Sequence, residues 1–139
     1  MMVNDVVGPC GAARYYTYAN LAAYEFMYQA KHPSSYLSFS GFLHDYPTIK
    51  LANPDSLIDV EFGCVYVLLR VGEAMLPSGY LLEKTRNQFV TNALTHRHLS
   101  AEQIKATQDH ADGIAKQIVR YAASDGYIKT SGYPRYTPI

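Results

Sequence analysis

Apolar residues recur at spacings of three and four along most of this chain, which is the pattern of amphipathic helices. The first such stretch covers residues 12–30 and is rich in alanine, which favours helix and allows a neighbouring helix to approach closely. Its C-terminal end is predicted just before Pro33, because the residue preceding a proline avoids the α region. The stripe predicted to face the core contains Tyr15, Ala19, Ala22 and Phe26.

A second helix is predicted over residues 56–76, where apolar positions of helical period occupy most of the circumference. It is therefore expected to be the central and mostly buried helix, and burial of a single Leu or Val there stabilises the fold by roughly 1.5–3 kcal/mol. On this interpretation Leu68→Asp is expected to unfold the domain. One predicted core line contains Leu57, Val60, Cys64, Leu68, Val71 and Met75.

The third helix is predicted over residues 79–95, and the fourth has the clearest signals. Ser100 and Gln103 have the spacing of a capping box. Gly126 is placed to be the left-handed residue that closes this helix. Its apolar line runs at alternating spacings of three and four through Ile104, Thr107, Ala111, Ile114, Ile118 and Tyr121.

The predicted connections complete the fold class. Residues 31–55 are long for a loop, and the stretch SFSGFLHDY within them is a candidate short helix that pins it, with Ser38 as a candidate cap. Residues 127–139 have no apolar period and are predicted to be extended. The chain is therefore expected to be one all-α domain over residues 1–139, a bundle of about four main helices with a long pinned loop and an extended C-terminal tail.

Charge and composition narrow the class of protein. The 12 basic and 12 acidic residues cancel, and no stretch concentrates Lys or Arg, which argues against nucleic-acid and anionic-membrane partners. No apolar run approaches the roughly 20 residues that cross a bilayer, and no signal peptide is legible. Cys10 and Cys64 are too few for a zinc site and are expected to be buried, reduced thiols, with a disulfide as the alternative. Thirteen tyrosines without a tryptophan suit either a helix-packing face or the lining of a site.

The stretch PSGY, residues 77–80, is a candidate anion-binding loop. Backbone N–H groups at a helix N-terminus can bind an oxyanion. However, Tyr80 stands where a histidine would act, and Lys84 and Arg86 lie further along the helix and point in different directions. Proline, serine and glycine also suit a tight joint between two helices, and this structural interpretation is favoured.

The histidines and one arginine are weaker candidates. His96 and His98 could converge on a metal, but no third ligand follows at a fixed spacing, and a surface pair at a helix C-terminus is favoured. Asp109 and His110 point about 100° apart on a helix, so a proton relay between them is not implied. Arg14 could bind an anion, although an intrachain carboxylate is the favoured partner.

Three stretches carry a resemblance to a known family. ARYYTYANLAAYE (residues 13–25) resembles a helix found early in bacterial vanadium-dependent haloperoxidase-like proteins, which belong to the type-2 phosphatidic acid phosphatase superfamily. IAKQIVRYAASDGYIKTSGYPRYTP (residues 114–138) is similar to a later signature of the same proteins, and LLRVGEAMLPS occupies the place of a helix end between the two. The order and spacing agree over nearly all of the chain.

The resemblance implies a structural role. In that family a Lys, two Arg, a Ser-Gly-His loop and a catalytic His hold vanadate or phosphate, and all lie in a helical half that follows the region resembled here. No catalytic, cofactor-binding or metal-binding residue can therefore be assigned in residues 1–139, and vanadate or phosphate is expected only where the catalytic half is present. The implied role is a scaffold or assembly part, truncated relative to the family, with a second copy or a catalytic-half chain as partner. Relatives are commonly exported, which leaves the compartment open.

Two other functions remain open from the sequence. One is a free-standing catalyst that holds phosphate through His96, His98 or the PSGY loop. The other is a small-molecule-binding or protein-binding module, in which Tyr127, Tyr133 and Tyr136 of the tail fold over an aromatic pocket.

Overall fold

The computed structural model describes residue 5 and residues 7–30, 39–49 and 57–133. These residues contain five α-helices and two short 3-10 turns, and no strand occurs among them, which confirms the all-α class. None of the helices within the described ranges is long and apolar enough to cross a membrane. The α-helices are α1 (Pro9–Ala30), α2 (Val60–Met75), α3 (Leu82–His96), α4 (Ala101–Ala123) and α5 (Tyr127–Ser131), and the 3-10 turns are Phe39–Gly41 and Gly79–Leu81.

Helix α2 is the centre of the bundle, as predicted, and packs against α1, α3 and α4. Its Phe62 ring stacks on Phe89 of α3 with 5.2 Å between ring centroids. On the side facing α1, a Cβ atom added at Gly63 would overlap the ring of Phe26. The glycine therefore sets the close approach of α1 and α2, which lets Phe26 be completely buried.

The buried side of α2 agrees with the predicted core line at Val71 but not at Leu68. Leu68 is 37% exposed and Val65 is 44% exposed, whereas Phe62, Val67 and Val71 are fully buried. The assignment of Leu68 to the core was therefore wrong. Apolar residues occupy nearly every side of this helix, so the helical period alone could not distinguish the side that faces its neighbours.

The ends of α2 and α4 are fixed by side-chain caps. Asp59 Oδ1 accepts a hydrogen bond from the Phe62 N–H at 2.7 Å, so α2 begins a few residues later than predicted. The Asp59 N–H donates to Thr107 Oγ at 3.1 Å, which ties the start of α2 to α4. The predicted capping box is confirmed, because the Gln103 N–H donates to Ser100 Oγ and the Ser100 N–H donates to Gln103 Oε1.

The chain after α4 is partly helical rather than extended. Gly126 has φ = 77°, which confirms the predicted left-handed residue. The extended tail is wrong for Tyr127–Ser131, which forms α5. The physical reason is a local turn: the Tyr127 N–H donates to Asp125 Oδ1 at 2.9 Å, and the helix starts directly after this turn. Residues 134–139, which complete the predicted tail and include Tyr136, lie outside the described residues.

The long connection between α1 and α2 is described only over residues 39–49 and from residue 57. The turn Phe39–Gly41 confirms a short helical piece in this stretch, while Ser38 and Pro33 lie outside the described residues. Tyr121 of α4 pins the loop by donating its hydroxyl to the His44 carbonyl at 2.8 Å.

Both cysteines are free, so the alternative of a disulfide between them does not occur. Cys10 is exposed, so the prediction of two buried thiols was wrong for this residue, which lies in the first turn of α1. Cys64 is partly buried on α2.

Candidate interaction surface and buried polar network

The PSGY stretch forms the joint between α2 and α3. Ser78 is buried, and its hydroxyl donates to Asp5 Oδ2 at 2.8 Å. A Cβ atom added at Gly79 would overlap the backbone carbonyl of Glu73 in the last turns of α2. Tyr80 points to solvent. The favoured structural interpretation of this stretch is confirmed, since each of its small residues meets a requirement of the turn.

The histidines are dispersed. His96 is the last residue of α3, and His98 follows two residues later with φ = 55°, so the two form the predicted surface pair at a helix C-terminus. Within the described ranges, no three His, Cys, Asp or Glu side chains come together as a metal-binding group. Asp109 pairs with Lys105 at 3.0 Å, apart from its sequence neighbour His110.

Arg14 has the intrachain carboxylate partner that was favoured. Its Nε lies 2.6 Å from Asp125 Oδ2, and its terminal nitrogen donates to the Ala122 carbonyl at 2.7 Å. Tyr18 donates its hydroxyl to the same Asp125 oxygen at 3.1 Å. Burial alone would raise the pKa of Asp125, but the hydrogen bond from Arg14 and the Tyr127 N–H outweigh it and lower the pKa.

The hydrogen bonds of the buried Glu25 carboxylate were not predicted from the sequence. Glu25 is 2% exposed and accepts hydrogen bonds from the Tyr46 hydroxyl at 3.0 Å and from Gln29 Nε2 at 2.9 Å. Burial and the nearby Glu25 carboxylate raise the pKa of Tyr46. The sequence signal is a single acidic residue inside an apolar helix, but its partner Tyr46 lies in a loop without a periodic pattern.

Two arginines meet Glu73 at the end of α2. Arg70 and Arg86 lie 2.9 Å and 3.0 Å from the same Glu73 oxygen, and Arg70 also pairs with Asp112 of α4 at 2.7 Å. Burial alone would raise the pKa of Glu73, and the two arginine hydrogen bonds reverse the effect and lower it. Both arginines are thus neutralised by carboxylates of this chain, and the network joins α2, α3 and α4.

Exposed apolar side chains mark the outer side of the bundle. Val65 and Leu68 lie one turn apart on the side of α2 opposite to its buried residues. A separate cleft of about 580 Å³ lies against the outer face of α1 and is lined by aromatic and aliphatic side chains. The lining residues are Tyr16, Thr17, Asn20, Leu21, Tyr24, Phe39 and Leu43.

The described helices have a haloperoxidase-like helical fold. One similar solved structure is the crystal structure of a bacterial vanadium-dependent iodoperoxidase, with a TM-score of 0.83 and 22% sequence identity. The match covers 99% of this chain and 32% of that chain, so this chain spans about a third of the length of its structural relative. No family model and no curated protein matches the sequence.

Proposed function

We propose that this domain is a scaffold and assembly part of a vanadium haloperoxidase-like or acid-phosphatase-like enzyme, whose anion-binding residues lie on other polypeptide. The observation that carries the proposal is that the structural match covers nearly all of this chain but only about a third of the other protein. Nearly all of this chain superposes on a protein described as a vanadium-dependent iodoperoxidase, but the superposed part is only 32% of that protein.

The exposed side of α2 supports an assembly role. Val65 and Leu68 are both large and apolar, and both lie on the central helix α2, which packs against α1, α3 and α4. Burial of exposed apolar side chains is a favourable contribution to a protein interface. We propose that a helical catalytic region covers this face in the working enzyme, and that a second copy of the domain covers it when the domain is alone.

The charge network supports a structural role for three partly buried arginines. Arg14, Arg70 and Arg86 each hold a carboxylate of the same chain, and none of the three is left to neutralise a bound oxyanion. An oxyanion site of the kind that vanadate or phosphate requires would need positive charge in excess of these pairs.

Sedimentation velocity over a range of concentrations tests the proposal. We expect the purified domain to self-associate, and we expect Val65→Asp and Leu68→Asp to shift it to monomer. Gln88→Asp, at an exposed position of α3, adds the same charge outside this face and should leave association unchanged. A compact wild-type monomer at high concentration would contradict the assembly role.

A free-standing catalyst is tested separately. Halide oxidation and phosphate-ester hydrolysis are measured on the 139-residue chain with added vanadate or without it. We expect no turnover above that of the buffer. Turnover that is lost in His98→Ala would contradict the scaffold proposal and favour a catalyst that uses the histidine pair.

The cleft on α1 favours a second candidate function, a small-molecule-binding module. Its volume of about 580 Å³ lies within the range of ligand pockets, and Tyr16, Tyr24 and Phe39 give it aromatic walls. Titration with the apolar dye anilinonaphthalene sulfonate tests this candidate. Saturable fluorescence that is lost in Leu43→Asp and retained in Gln88→Asp would favour a binding module.

A further inference from the structure

Three tyrosine rings from distant parts of the chain are in edge-to-face contact. The ring centroids of Tyr46 and Tyr121 are 5.1 Å apart, and those of Tyr121 and Tyr18 are 6.0 Å apart, with interplanar angles of 89° and 81°. The rings come from the loop after the first 3-10 turn, from α4 and from α1. They form a continuous row that starts at the buried Tyr46 ring.

Each end of this row donates a phenol hydrogen bond to a carboxylate. The Tyr46 hydroxyl donates to Glu25 Oε2 at 3.0 Å, and the Tyr18 hydroxyl donates to Asp125 Oδ2 at 3.1 Å. Oxidation of a phenol to a neutral radical requires that its proton leave. A carboxylate that already accepts the phenol hydrogen bond can take this proton without any movement of heavy atoms.

The aromatic contacts continue beyond Tyr18 toward the start of α1. The Arg14 guanidinium lies 5.3 Å from the Tyr18 ring centroid and 4.6 Å from that of Tyr127. Tyr127 in turn makes an edge contact with Tyr15 at 6.5 Å. The first turn of α1 also carries the exposed Cys10, which offers a point for attaching an oxidant at this end.

We propose that Tyr18, Tyr121 and Tyr46 form a path for one-electron oxidation, and that Glu25 and Asp125 are its proton acceptors. The chain has thirteen tyrosines and no tryptophan, so no indole competes with the phenols as an electron donor. The reaction partner is a one-electron oxidant, such as a radical or a high-valent metal complex, that meets the protein near the Tyr18 end. The proposal does not depend on the scaffold role.

The oxidant takes one electron from Tyr18, whose O–H bond breaks as the proton passes to Asp125. An electron then tunnels from Tyr46 to the Tyr18 radical across the Tyr121 ring, which stays reduced and keeps the proton that it donates to the His44 carbonyl. Tyr18 regains its proton from Asp125. Tyr46 loses its own proton to Glu25. The oxidant has gained one electron, and the protein holds a neutral Tyr46 radical beside a protonated Glu25.

Tyr46 is the resting place of the radical because its ring is buried, which keeps soluble reductants away from it. Asp125 is ion-paired with Arg14, which holds that carboxylate in its charged form, so the proton taken from Tyr18 is readily returned.

A photo-oxidant attached to Cys10 tests the path. A ruthenium tris-bipyridine label is coupled to Cys10 in a Cys64→Ala background and oxidised by a laser flash with an external quencher. Transient absorption and freeze-quench electron paramagnetic resonance then follow the tyrosyl radical. We expect a long-lived radical in the parent and in Tyr121→Phe, which keeps the bridging ring, and loss of most of it in Tyr121→Leu, which removes that ring.

Two more variants distinguish electron transfer along the tyrosine row from an effect on packing alone. Glu25→Gln keeps a hydrogen-bond acceptor for Tyr46 but removes the base, so the long-lived radical should be lost. Tyr80→Phe is the matched control, because Tyr80 is 71% exposed and lies outside the row. Circular dichroism confirms that each variant is folded before it is compared with the parent.

Fluorotyrosine at position 46 shows whether this residue holds the radical, without a substitution that removes packing or hydrogen bonds. It keeps the hydroxyl and the ring shape, and a radical on this residue must show fluorine hyperfine splitting. Splitting at position 46, together with none when fluorotyrosine is at position 80, is the expected result. Equal radical yields and lifetimes in the parent, Tyr121→Leu and Tyr80→Phe, or no splitting from position 46, would overturn the proposal.

Discussion

The Nε atom of Arg14 lies 2.6 Å from Asp125 Oδ2, and this ion pair joins α1 to the turn between α4 and α5. The two residues are 111 positions apart in the chain. The ion pair therefore holds the first helix of the bundle against the turn that follows α4.

Loss of the Arg14–Asp125 pair should destabilise the domain. We expect Asp125→Asn to lower the free energy of unfolding by about 1–2 kcal/mol, because a charged hydrogen bond is lost from side chains that are mostly shielded. Their exposed fractions are 14% and 24%. Asp109→Asn is the control, since the Lys105–Asp109 pair is exposed and should contribute less than about 0.5 kcal/mol. Urea unfolding measures both, and equal effects would contradict a stabilising role.

The same pair gives the stability a dependence on acid pH. The pKa of Asp125 is lowered in the folded protein relative to its ordinary value of 3.8. The unfolded state therefore binds protons first as the pH falls, so the stabilisation is complete above pH 3.8 and is lost as the pH falls through the folded-state pKa. We expect Asp125→Asn to lose less stability than wild type between neutral and acid pH. If the stability of Asp125→Asn falls with pH as steeply as that of wild type, other carboxylates cause the loss of stability in acid.

Neighbouring substitutions on α2 test which side of the helix is core. Val67 is fully buried and Leu68 is 37% exposed. We expect Val67→Asp to destabilise the domain by more than about 3 kcal/mol, because it places an unpaired charge in the core. Leu68→Asp should leave the domain folded and change its assembly instead. Thermal unfolding followed by circular dichroism distinguishes the two. A Leu68→Asp variant that does not fold would show that Leu68 belongs to the core.

The features of the fold that the sequence predicts correctly are those specified by a few adjacent residues. The capping box at Ser100 and the left-handed Gly126 depend on a few adjacent residues, and both were predicted correctly. The start of α5 also has a local signal in Asp125, but the absence of an apolar period concealed it. The contact between Glu25 and Tyr46 joins residues 21 positions apart through a loop, and no periodic pattern specifies such a contact.

The joint between α2 and α3 should not tolerate a side chain at Gly79. A Cβ atom there would overlap the backbone carbonyl of Glu73, which cannot move away as a flexible side chain can. We expect Gly79→Ala to destabilise the domain by about 1–3 kcal/mol through forced backbone shifts. Gly132→Ala is the control, because its Cβ would have only an ordinary contact with the Lys129 carbonyl. Urea unfolding that ranks the two variants equally would show that the joint can relax.

His110 gives the stability a second pH dependence, at milder acidity. It lies on α4 against the Phe26 ring, with 5.4 Å between centroids, and its Nε2 atom is buried without a hydrogen-bond partner in the described part of the chain. Burial lowers its pKa from the ordinary value of 6.5. As the pH falls below 6.5, the unfolded state takes up a proton that the folded state does not, and the domain loses stability.

Replacement of His110 should remove this loss. We expect wild type to lose up to about 1.4 kcal/mol per pH unit below pH 6.5, the limit for one proton, until the folded-state pKa is reached. His110→Leu should unfold at nearly the same urea concentration across this range, because an apolar side chain beside Phe26 has no proton to gain. His96→Gln, at the exposed end of α3, should keep the wild-type slope. If His110→Leu keeps that slope as well, the proton is taken up elsewhere and the buried imidazole is not its source.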